Sequence, residues 1–208
     1  MYTILGASGH IGGIITKALL ENGKKVTVVA RDIKKLREFT EQGAKPQIGP
    51  FDDERFLMSA FKGSTAVFAM IPPNLAAEKL RVYQNQVGEA ISTAIKNTGV
   101  KYVVNLSSMG AHRPDKNGPV GGLYDQEQRL NKLKNINIVH LRPTFFMENL
   151  MGSIPMIKNA GINGSALKAD LLFPIIATRD IGKYAASLSM GSRYKLCCRA
   201  RSESCTND

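Results

Sequence analysis

The sequence predicts an α/β protein with a doubly wound parallel sheet, that is, a sheet covered by helices on both faces. One observation is that apolar segments of strand length alternate with amphipathic helical segments along most of the 208 residues. The other is that three glycines, Gly6, Gly9 and Gly12, follow the first apolar segment with the spacing G-x-x-G-x-x-G. A strand, a glycine turn and a helix in this order are typical of a nucleotide-binding sheet.

The glycine turn predicts a binding site for a dinucleotide. Gly6 permits the sharp turn from strand to helix, and Gly12 lets the helix pack closely on the strands. A side chain at Gly9 would keep a pyrophosphate away from the helix N-terminus, where N–H groups and the helix dipole favour an anion. A glycine-rich turn without a ligand is the simpler alternative. If the site exists, we expect cofactor contacts from Gly6, Ser8, Gly9, His10, Ile11 and Gly12.

The end of the second strand bears on which dinucleotide is bound. This strand is predicted to end at Ala30, and Arg31, Asp32 and, one turn on, Lys35 follow it. An NAD-selective site usually has a carboxylate here, whereas an NADP site has a cation near the 2′-phosphate. Arg31 and Lys35 therefore predict a preference for NADP(H) over NAD(H). In the alternative, Asp32 caps the following helix and Arg31 is an ordinary surface arginine.

The remaining elements alternate regularly up to residue 141. In chain order we expect helix 33–41, strand 45–48, helix 53–61, strand 65–71, helix 75–97, strand 102–106, helix 123–133 and strand 136–141. Asp52 or Asp53 caps the second of these helices, and Gly99 ends the long one. Right-handed crossovers bring the carboxyl ends of parallel strands to one edge. Further cofactor contacts are therefore expected there from Ile71, Pro72, Ser107, Pro143 and Phe145.

The regular pattern loosens towards the C-terminus. We expect a dinucleotide-binding domain over 1–145, the beginning of an incomplete substrate lobe over 146–188, and an irregular tail over 189–208. The tail is either disordered or the product of a frameshifted or truncated coding sequence. A short strand over 173–176 and a helix from 180 are expected in the lobe. Its apolar residues should lack a partner and stay exposed, which favours dimerisation; they are Leu150, Ile154, Ile157, Leu171, Leu172 and Phe173.

Composition restricts the function classes further. The net charge is +11, but the lysines are spread along helices and no basic run is interleaved with aromatic residues, so nucleic-acid binding is not expected. No run of 18 apolar residues and no signal peptide is evident, which predicts a cytosolic protein without a membrane span. All three cysteines lie in the last dozen residues, so neither a disulfide framework nor a catalytic cysteine is expected in the body. No histidine pair has metal-ligand spacing, and we predict no metal.

Several segments, in their order and spacing, resemble the NmrA-like branch of the atypical short-chain dehydrogenase/reductase superfamily. The similar segments are 6–12, 29–35, 67–73, 105–110, 127–130 and 141–149. The resemblance implies a Rossmann-type domain that binds NADP(H). It also implies one of two functions: an NAD(P)H-dependent reductase of a quinone, azo compound or dye, or a non-catalytic redox sensor that acts through a protein partner. Family members usually continue into a C-terminal substrate lobe, which we expect to be truncated here.

The resemblance also raises the question of a catalytic tyrosine. Ordinary short-chain dehydrogenases use Ser, Tyr and Lys, with the last two spaced Tyr-x-x-x-Lys. The candidates here are Ser108, at a strand end, and Tyr124, but Gln128 stands where the lysine belongs. Without that cation Tyr124 is a poor proton donor, and the alternative is a structural tyrosine that packs on the preceding loop. Reduction of a quinone by hydride transfer does not require it, because water can protonate the product.

Three further residues complete the expected site. Relatives often carry Gly-Asp after the third strand, where the aspartate meets adenine, whereas this chain has Gly49, Pro50 and Phe51. The adenine contact would then fall to backbone or to the Phe51 ring. We expect Glu127 to be structural and solvent-exposed, paired with Arg129 or Lys134. His140 alternates within a strand and is expected to be a hydrogen-bonded core histidine.

Overall fold

The computed structural model describes residues 1–74, 76–164, 168 and 170–191. Six parallel strands form its central sheet, in the order β3-β2-β1-β4-β5-β6. A separate pair of short parallel strands, β7 and β8, lies beside it. The strands are β1 (Tyr2–Leu5), β2 (Val26–Ala30), β3 (Lys45–Ile48), β4 (Ala66–Met70), β5 (Tyr102–Leu106), β6 (Asn137–Leu141), β7 (Phe145–Phe146) and β8 (Ile175–Ile176).

Helices cover both faces of the sheet, which confirms the predicted doubly wound α/β class. They are α1 (His10–Glu21), α2 (Arg37–Glu41), α3 (Glu54–Phe61), α4 (Leu80–Thr98), α5 (Gly121–Asn131), α6 (Ile154–Ala160) and α7 (Thr178–Ser189). The chain packs α1 against α7 over one face, where Ile15, Leu19 and Ile181 are buried. It packs α3, α4 and α5 together over the other face, where Leu57 and Ile91 are buried.

The strand order reverses between β1 and β4, and this arrangement locates the ligand edge of the sheet. Strands run outward from β1 through β2 to β3 on one side, and from β4 through β5 to β6 on the other. The helices after β1 and β4 therefore lie on opposite faces, and they leave a crevice at the carboxyl ends of these two strands. In open α/β sheets this crevice is where ligands bind. It is bordered here by Gly6 after β1, Met70 at the end of β4 and Ser107 after β5.

Several helices begin at different residues from those expected. The expected helix 33–41 consists of a 3₁₀ turn over Ile33–Leu36 followed by α2, and α7 begins two residues early, at Thr178. The long helix α4 begins at Leu80 rather than at residue 75. One physical reason is that the Asn74 side-chain Oδ1 accepts the Ala76 N–H at 3.3 Å, so the chain forms a turn first. Helix α5 begins at Gly121, two residues early, because Gly122 donates its N–H to Gln84 Oε1 at 3.1 Å and its missing side chain admits the Gln84 stem. The short strand expected over 173–176 is confined to Ile175–Ile176.

The segment after β6 is only partly without a packing partner. The expectation that the lobe at 146–188 lacks a partner is wrong for α7, since Ile181, Ala185 and Leu188 are buried against α1 and the sheet. It is also wrong for Phe173, which is half-buried and contacts Phe145. Other large apolar side chains of the segment are exposed as expected, and Leu172 reaches 97%. The others that are exposed include Leu150, Met151, Ile154, Met156, Ile157, Ile162 and Leu171. Residues 192–208, most of the predicted irregular tail, lie outside the described residues.

No helix in the described part of the chain combines the length and the apolar character that crossing a bilayer requires.

The contact between α1 and α7 predicts a specific sensitivity. A Cβ at Gly182 would lie 2.8 Å from Ile14 Cβ and Cγ2, inside van der Waals contact. We expect Gly182→Ala to force the two helices apart and to lower the free energy of unfolding by about 1–3 kcal/mol. Lys183→Ala, on the exposed side of the same helix, is the control and should change it by less than about 0.5 kcal/mol. Urea denaturation measures both, and equal stability of the two variants would contradict this packing.

Candidate functional site: a glycine turn that opens into an apolar cavity

The glycine turn is built by close backbone contacts. Gly6 has a φ of +68°, which glycine adopts readily, and a Cβ there would lie 3.0 Å from Met70 Sδ. A Cβ at Gly12 would lie only 2.3 Å from the Gly6 carbonyl oxygen, so α1 could not start so close to β1 with any other residue. The Gly9 N–H donates to the same carbonyl oxygen at 2.9 Å. The roles expected for Gly6 and Gly12 are therefore supported by geometry.

Gly9 serves a different purpose from Gly6. Its φ is −93°, which any residue adopts, so conformational freedom does not explain the glycine. A Cβ there would meet only the Gly6 carbonyl oxygen, at 3.3 Å, and Gly9 is exposed. It precedes α1, whose N-terminus has no side-chain cap and no acidic residue in its first turn. The space above Gly9 thus leads directly to the positive end of the helix dipole.

A small cavity of about 200 Å³ lies against the turn. Its wall includes the expected residues Gly6, Gly9, His10, Ile11 and Gly12. Ser8 is exposed in the same turn but does not line this cavity. The rest of the wall comes from strand ends and from the later segment of the chain: Leu5, Phe68, Met70, Leu106, Phe146 and Thr178.

A larger cavity of about 400 Å³ adjoins the small one. The two share Met70, Leu106 and Phe146 in their walls, so they lie next to each other along the strand ends. Most of the larger wall is apolar or proline. The full lining is Met70, Ile71, Pro72, Pro73, Asn74, Leu80, Gln84, Leu106, Ser107, Ser108, Pro119, Val120, Leu123, Phe146 and Asn149. The expected site residues Ile71, Pro72, Ser107 and Ser108 thus meet here.

Most of the polar groups in this wall already have partners in the protein. Gln84 Nε2 donates to the Pro119 carbonyl at 3.0 Å, while its Oε1 accepts from Gly122. The Ser107 hydroxyl donates to Glu127 Oε1 at 2.5 Å. Within the described residues, the hydroxyl of Ser108 and the side-chain amide of Asn149 have no hydrogen-bond partner, and no charged side chain lines the cavity. The cavity therefore suits an apolar, uncharged molecule.

Glu127 is buried behind Ser107, and the expectation of a solvent-exposed pair with Arg129 or Lys134 is wrong. Its residue exposure is 0%, and Arg142 binds it through two N–H groups, with Nε 2.9 Å from Oε1 and Nη2 2.5 Å from Oε2. Burial alone would raise the pKa of Glu127, but the hydrogen bonds from Arg142 and Ser107 outweigh it and hold the pKa below its ordinary value. Sequence spacing could not predict this buried cluster, because Ser107, Glu127 and Arg142 come from three separate elements.

The end of β2 carries exposed cations. Arg31 and Lys35 are exposed, and no carboxylate among the described residues lies within ion-pair distance of either. Asp32 caps the following turn, as the alternative proposed, because its Oδ1 accepts the Lys34 N–H at 2.9 Å. Asp53, not Asp52, caps α3. Phe51 is 6% exposed and belongs to the core, which leaves little of its ring for a ligand.

Three other expected residues lie outside the cavities. Tyr124 follows the lining residue Leu123 on α5 but does not itself line either cavity. Phe145 contacts Phe173 edge-on, with ring centroids 5.5 Å apart, whereas its neighbour Phe146 lines both cavities. Successive side chains of a strand point to opposite sides, so only one of these two phenylalanines can face the cavities. The sequence did not show which one, and Phe145 was the wrong choice. Pro143 is buried beside the site and lines neither cavity.

Glu148 and Thr178 were not identified from the sequence. The Glu148 carboxylate accepts the Thr178 N–H at 2.9 Å and its hydroxyl at 2.6 Å, which caps α7 from a segment thirty residues earlier. Hydrogen bonds from Thr178 lower the pKa of Glu148, and nearby His10 adds to the effect. In the sequence, Glu148 lies in segment 141–149, one of the segments that resemble the family. Its position beside the glycine turn follows only from the fold.

His140 and the question of a metal complete the description. His140 Nδ1 lies 3.1 Å from Asn105 Nδ2, and its Nε2 lies 3.1 Å from Asn131 Oδ1, so the expected hydrogen bonding is confirmed. The expected core position is wrong, because His140 is half-buried on β6, an edge strand of the sheet. In the part of the chain that the structure describes, no group of three or more His, Cys, Asp or Glu residues is arranged to hold a metal ion.

The order of segments and the geometry agree with one family. Its family model, described as the NmrA-like family, matches residues 2–195. The chain belongs to the NmrA-like family. The expected resemblance is therefore confirmed.

Relatives of this NmrA-like chain include reductases. It is similar to an NAD(P)H azoreductase of Xenophilus azovorans, 29% identical over 161 residues, which are 77% of this chain and 54% of the azoreductase. It is also similar to the (4-alkanoyl-5-oxo-2,5-dihydrofuran-3-yl)methyl phosphate reductase of Streptomyces griseus, 24% identical over 94% of this chain and 65% of that enzyme.

Solved structures show the same fold. An NADPH-dependent quinone oxidoreductase from Escherichia coli, complexed with NADPH, matches with a TM-score of 0.78 and 20% identity, over 92% of this chain and 65% of that one. A triphenylmethane reductase from Citrobacter, complexed with NADP(H), matches with a TM-score of 0.72 and 16% identity, over 90% and 65%. The NmrA-like chain thus spans about half to two thirds of the length of these proteins.

The buried pair of Glu127 and Arg142 predicts a pH-dependent stability. The folded state holds the pKa of Glu127 below its ordinary value of 4.5, so the stabilisation is present above that pH and is lost as pH falls through the lower, folded-state pKa. Glu127→Gln should lower the free energy of unfolding by about 1.5–3 kcal/mol at pH 7. It should also reduce the loss of stability on acidification.

Denaturation series at pH 7 and pH 3 measure this effect, with Glu89→Gln as the control. Glu89 also pairs with an arginine, Arg129, but its side chain is 71% exposed. Exposed pairs contribute little, so this variant should resemble the parent. A Glu127→Gln protein with the parent's stability at both pH values would contradict the buried pair.

Proposed function

We propose that this chain binds NADP(H) at the glycine turn and reduces a flat, apolar organic molecule held in the larger cavity. The substrate class proposed is a quinone, an azo compound or a dye. The observation that carries the proposal is that the two cavities share a wall, formed by Met70 at the end of β4, Leu106 at the end of β5 and Phe146 of β7. A dinucleotide that lies on the turn would extend from there into the apolar cavity. The reductases among the relatives support the same reaction class.

The glycine turn fits the pyrophosphate of a dinucleotide. Gly9 leaves open space in front of α1, and the N-terminus of α1 carries neither a side-chain cap nor an acidic residue. Backbone N–H groups at a helix N-terminus bind anions without a charged side chain. His10, at the first position of α1, lines the same cavity and is a further candidate for a phosphate contact.

The exposed cations after β2 support a preference for the 2′-phosphate. Arg31 and Lys35 have no competing carboxylate within ion-pair distance among the described residues. A guanidinium can bind a phosphate through two parallel hydrogen bonds. Of the two adenine contacts that the sequence allows, backbone or the Phe51 ring, burial of Phe51 favours the backbone.

The larger cavity would contact the substrate through apolar side chains and would hold it next to the nicotinamide. When bound, the nicotinamide would supply the hydride, and the apolar walls around Phe146 and Leu123 would exclude water and orient a flat ring. None of the described residues in that wall is ionisable, so the proton that a reduced quinone takes up would come from water.

A redox sensor without turnover is the second candidate. Two observations favour it: Gln128 replaces the expected lysine, and Tyr124 lies outside the cavity walls. The exposed apolar side chains of segment 147–175, such as Leu150 and Leu172, would then serve a protein partner. NADPH oxidation measured against a panel of quinones and azo dyes distinguishes the two functions. We expect turnover with at least one member, whereas NADPH binding without any oxidation would favour the sensor.

Arg31 provides a test of cofactor preference. If its guanidinium binds the 2′-phosphate, Arg31→Ala should weaken NADPH binding by about ten- to a hundredfold and leave NADH binding unchanged. Arg37→Ala is the control, because Arg37 is equally exposed but pairs with Glu41. Calorimetric titration gives the six dissociation constants, of the parent and the two variants for NADPH and for NADH. Similar affinities of the parent for NADPH and NADH would remove the basis of the preference.

Gly9 provides a test of the phosphate site. Its ordinary φ and exposed position allow Gly9→Val to fold, while the branched side chain would fill the space in front of α1. We expect dinucleotide binding to be lost with less than about 1 kcal/mol change in stability. Gly152→Val, at a position where a Cβ meets nothing, is the control. Normal binding by Gly9→Val would mean that the glycine turn has no ligand.

Tyr124 provides a test of the proton source. Because it lies outside both cavities, Tyr124→Phe should reduce turnover by less than about tenfold. A general acid typically contributes about 10²–10⁴-fold. Steady-state kinetics with the best substrate of the panel decides the matter. A thousandfold loss would restore a conventional tyrosine mechanism.

A further inference from the structure

We propose that Glu127 is a positioning residue that makes Ser107 a hydrogen-bond acceptor for the carboxamide N–H of the nicotinamide. The inference rests on the proposed function, since it concerns how the same site binds the nicotinamide half of the cofactor. It assigns Ser107 a role opposite to that of a serine that donates to a substrate carbonyl.

Three donors converge on this buried carboxylate. Oε1 accepts from the Ser107 hydroxyl at 2.5 Å and from Arg142 Nε at 2.9 Å, and Oε2 accepts from Arg142 Nη2 at 2.5 Å. Glu127 itself is 0% exposed, so water does not compete for these positions. The contacts join the end of β5, helix α5 and the residue after β6. The Ser107 backbone is held as well, because its N–H donates to the Leu141 carbonyl at 2.7 Å.

The charge of Glu127 determines the direction of the bond to Ser107. An ionised carboxylate only accepts hydrogen bonds, and Arg142 keeps this one ionised. The Ser107 hydroxyl must therefore be the donor. A serine hydroxyl has one proton and two acceptor positions, so Ser107 has only lone pairs left for a ligand. It attracts an N–H or O–H group and disfavours a carbonyl oxygen.

The position of Ser107 points to the nicotinamide end of the cofactor. Ser107 lines the larger cavity directly after Leu106, which lies at the junction with the small cavity beside the glycine turn. The nicotinamide ring carries one strong N–H donor, its carboxamide. Gln84, another polar residue in this wall, has both ends of its amide occupied and does not compete. Ser108, whose hydroxyl has no partner among the described residues, remains for the substrate.

A cofactor analogue tests the acceptor role directly. In the 3-acetylpyridine analogue of NADP⁺, a methyl group replaces the carboxamide nitrogen while the carbonyl is kept. The measurement is the ratio of the dissociation constants of analogue and NADP⁺, by calorimetry. The parent should bind the analogue about three- to tenfold more weakly, the value of one hydrogen bond. In Ser107→Ala this ratio should fall to about one, because NADP⁺ alone loses a bond.

Glu127→Gln tests the positioning role. The amide has one acceptor oxygen, which Arg142 would take, and its N–H₂ would donate to Ser107 and free the serine proton. The ratio should therefore again fall to about one, or below it. A purely structural defect would weaken both ligands equally and leave the ratio at the parent's value. Glu89→Gln, the same change at an exposed carboxylate that pairs with Arg129, should keep that value.

The outcomes separate this inference from the proposed function. If the parent binds neither NADP⁺ nor the 2′,5′-ADP fragment, both fail. If the parent binds both but does not discriminate against the analogue, only the inference fails. A ratio that falls in Ser108→Ala but not in Ser107→Ala would assign the carboxamide to the other serine and contradict it. Ser107→Ala changes one buried hydroxyl and keeps the test valid even if Glu127→Gln does not fold.

Discussion

The close approach of Gly12 to the carbonyl of Gly6 is the constraint on which the site depends. A Cβ at Gly12 would lie only 2.3 Å from that oxygen, so only glycine lets α1 start directly over the end of β1. The helix N-terminus then faces the crevice where the strand order reverses, between β1 and β4. Because Gly9 adds no side chain, this positive end stays accessible to an anion. The cation-lined end of β2 and the apolar cavity beyond Met70 lie on either side of it.

A second constraint comes from the way polar groups near the cavity are paired within the protein. Gln84 joins α4 to the start of α5, Glu127 joins α5 to β5 and β6, and Glu148 joins β7 to α7. Buried polar groups are costly unless they are bonded, and bonded groups have fixed orientations. The polar side chains around the cavity are consequently held in fixed orientations and the rest of the wall is apolar. Few polar groups remain to bind a ligand. Such a site agrees with the proposed flat apolar substrate and with the proposed chemistry that needs no protein acid.

The alternation of strands and helices could be read from the sequence because it is a local property. All six strands of the main sheet and the glycine turn lie where the hydrophobic pattern and the glycine spacing predict them. Long-range contacts are not encoded in spacing. Glu127 and Arg142 meet only after α5 and β6 have packed, and Phe146 rather than Phe145 faces the cavities because of the orientation of a two-residue strand. Helix α4 begins at Leu80 rather than at residue 75, and one reason is that Asn74 Oδ1 accepts the Ala76 N–H and forms a turn first.

Amide hydrogen exchange with and without NADPH shows where on the chain the cofactor binds. We expect slower exchange on NADPH addition in the glycine turn at 6–12 and at the strand ends near residues 70–74 and 106–108. Helix α6, among the exposed apolar residues, should exchange as before. Protection absent from the glycine turn, or confined to α6 and its neighbours, would mean that the cofactor does not bind at the proposed site.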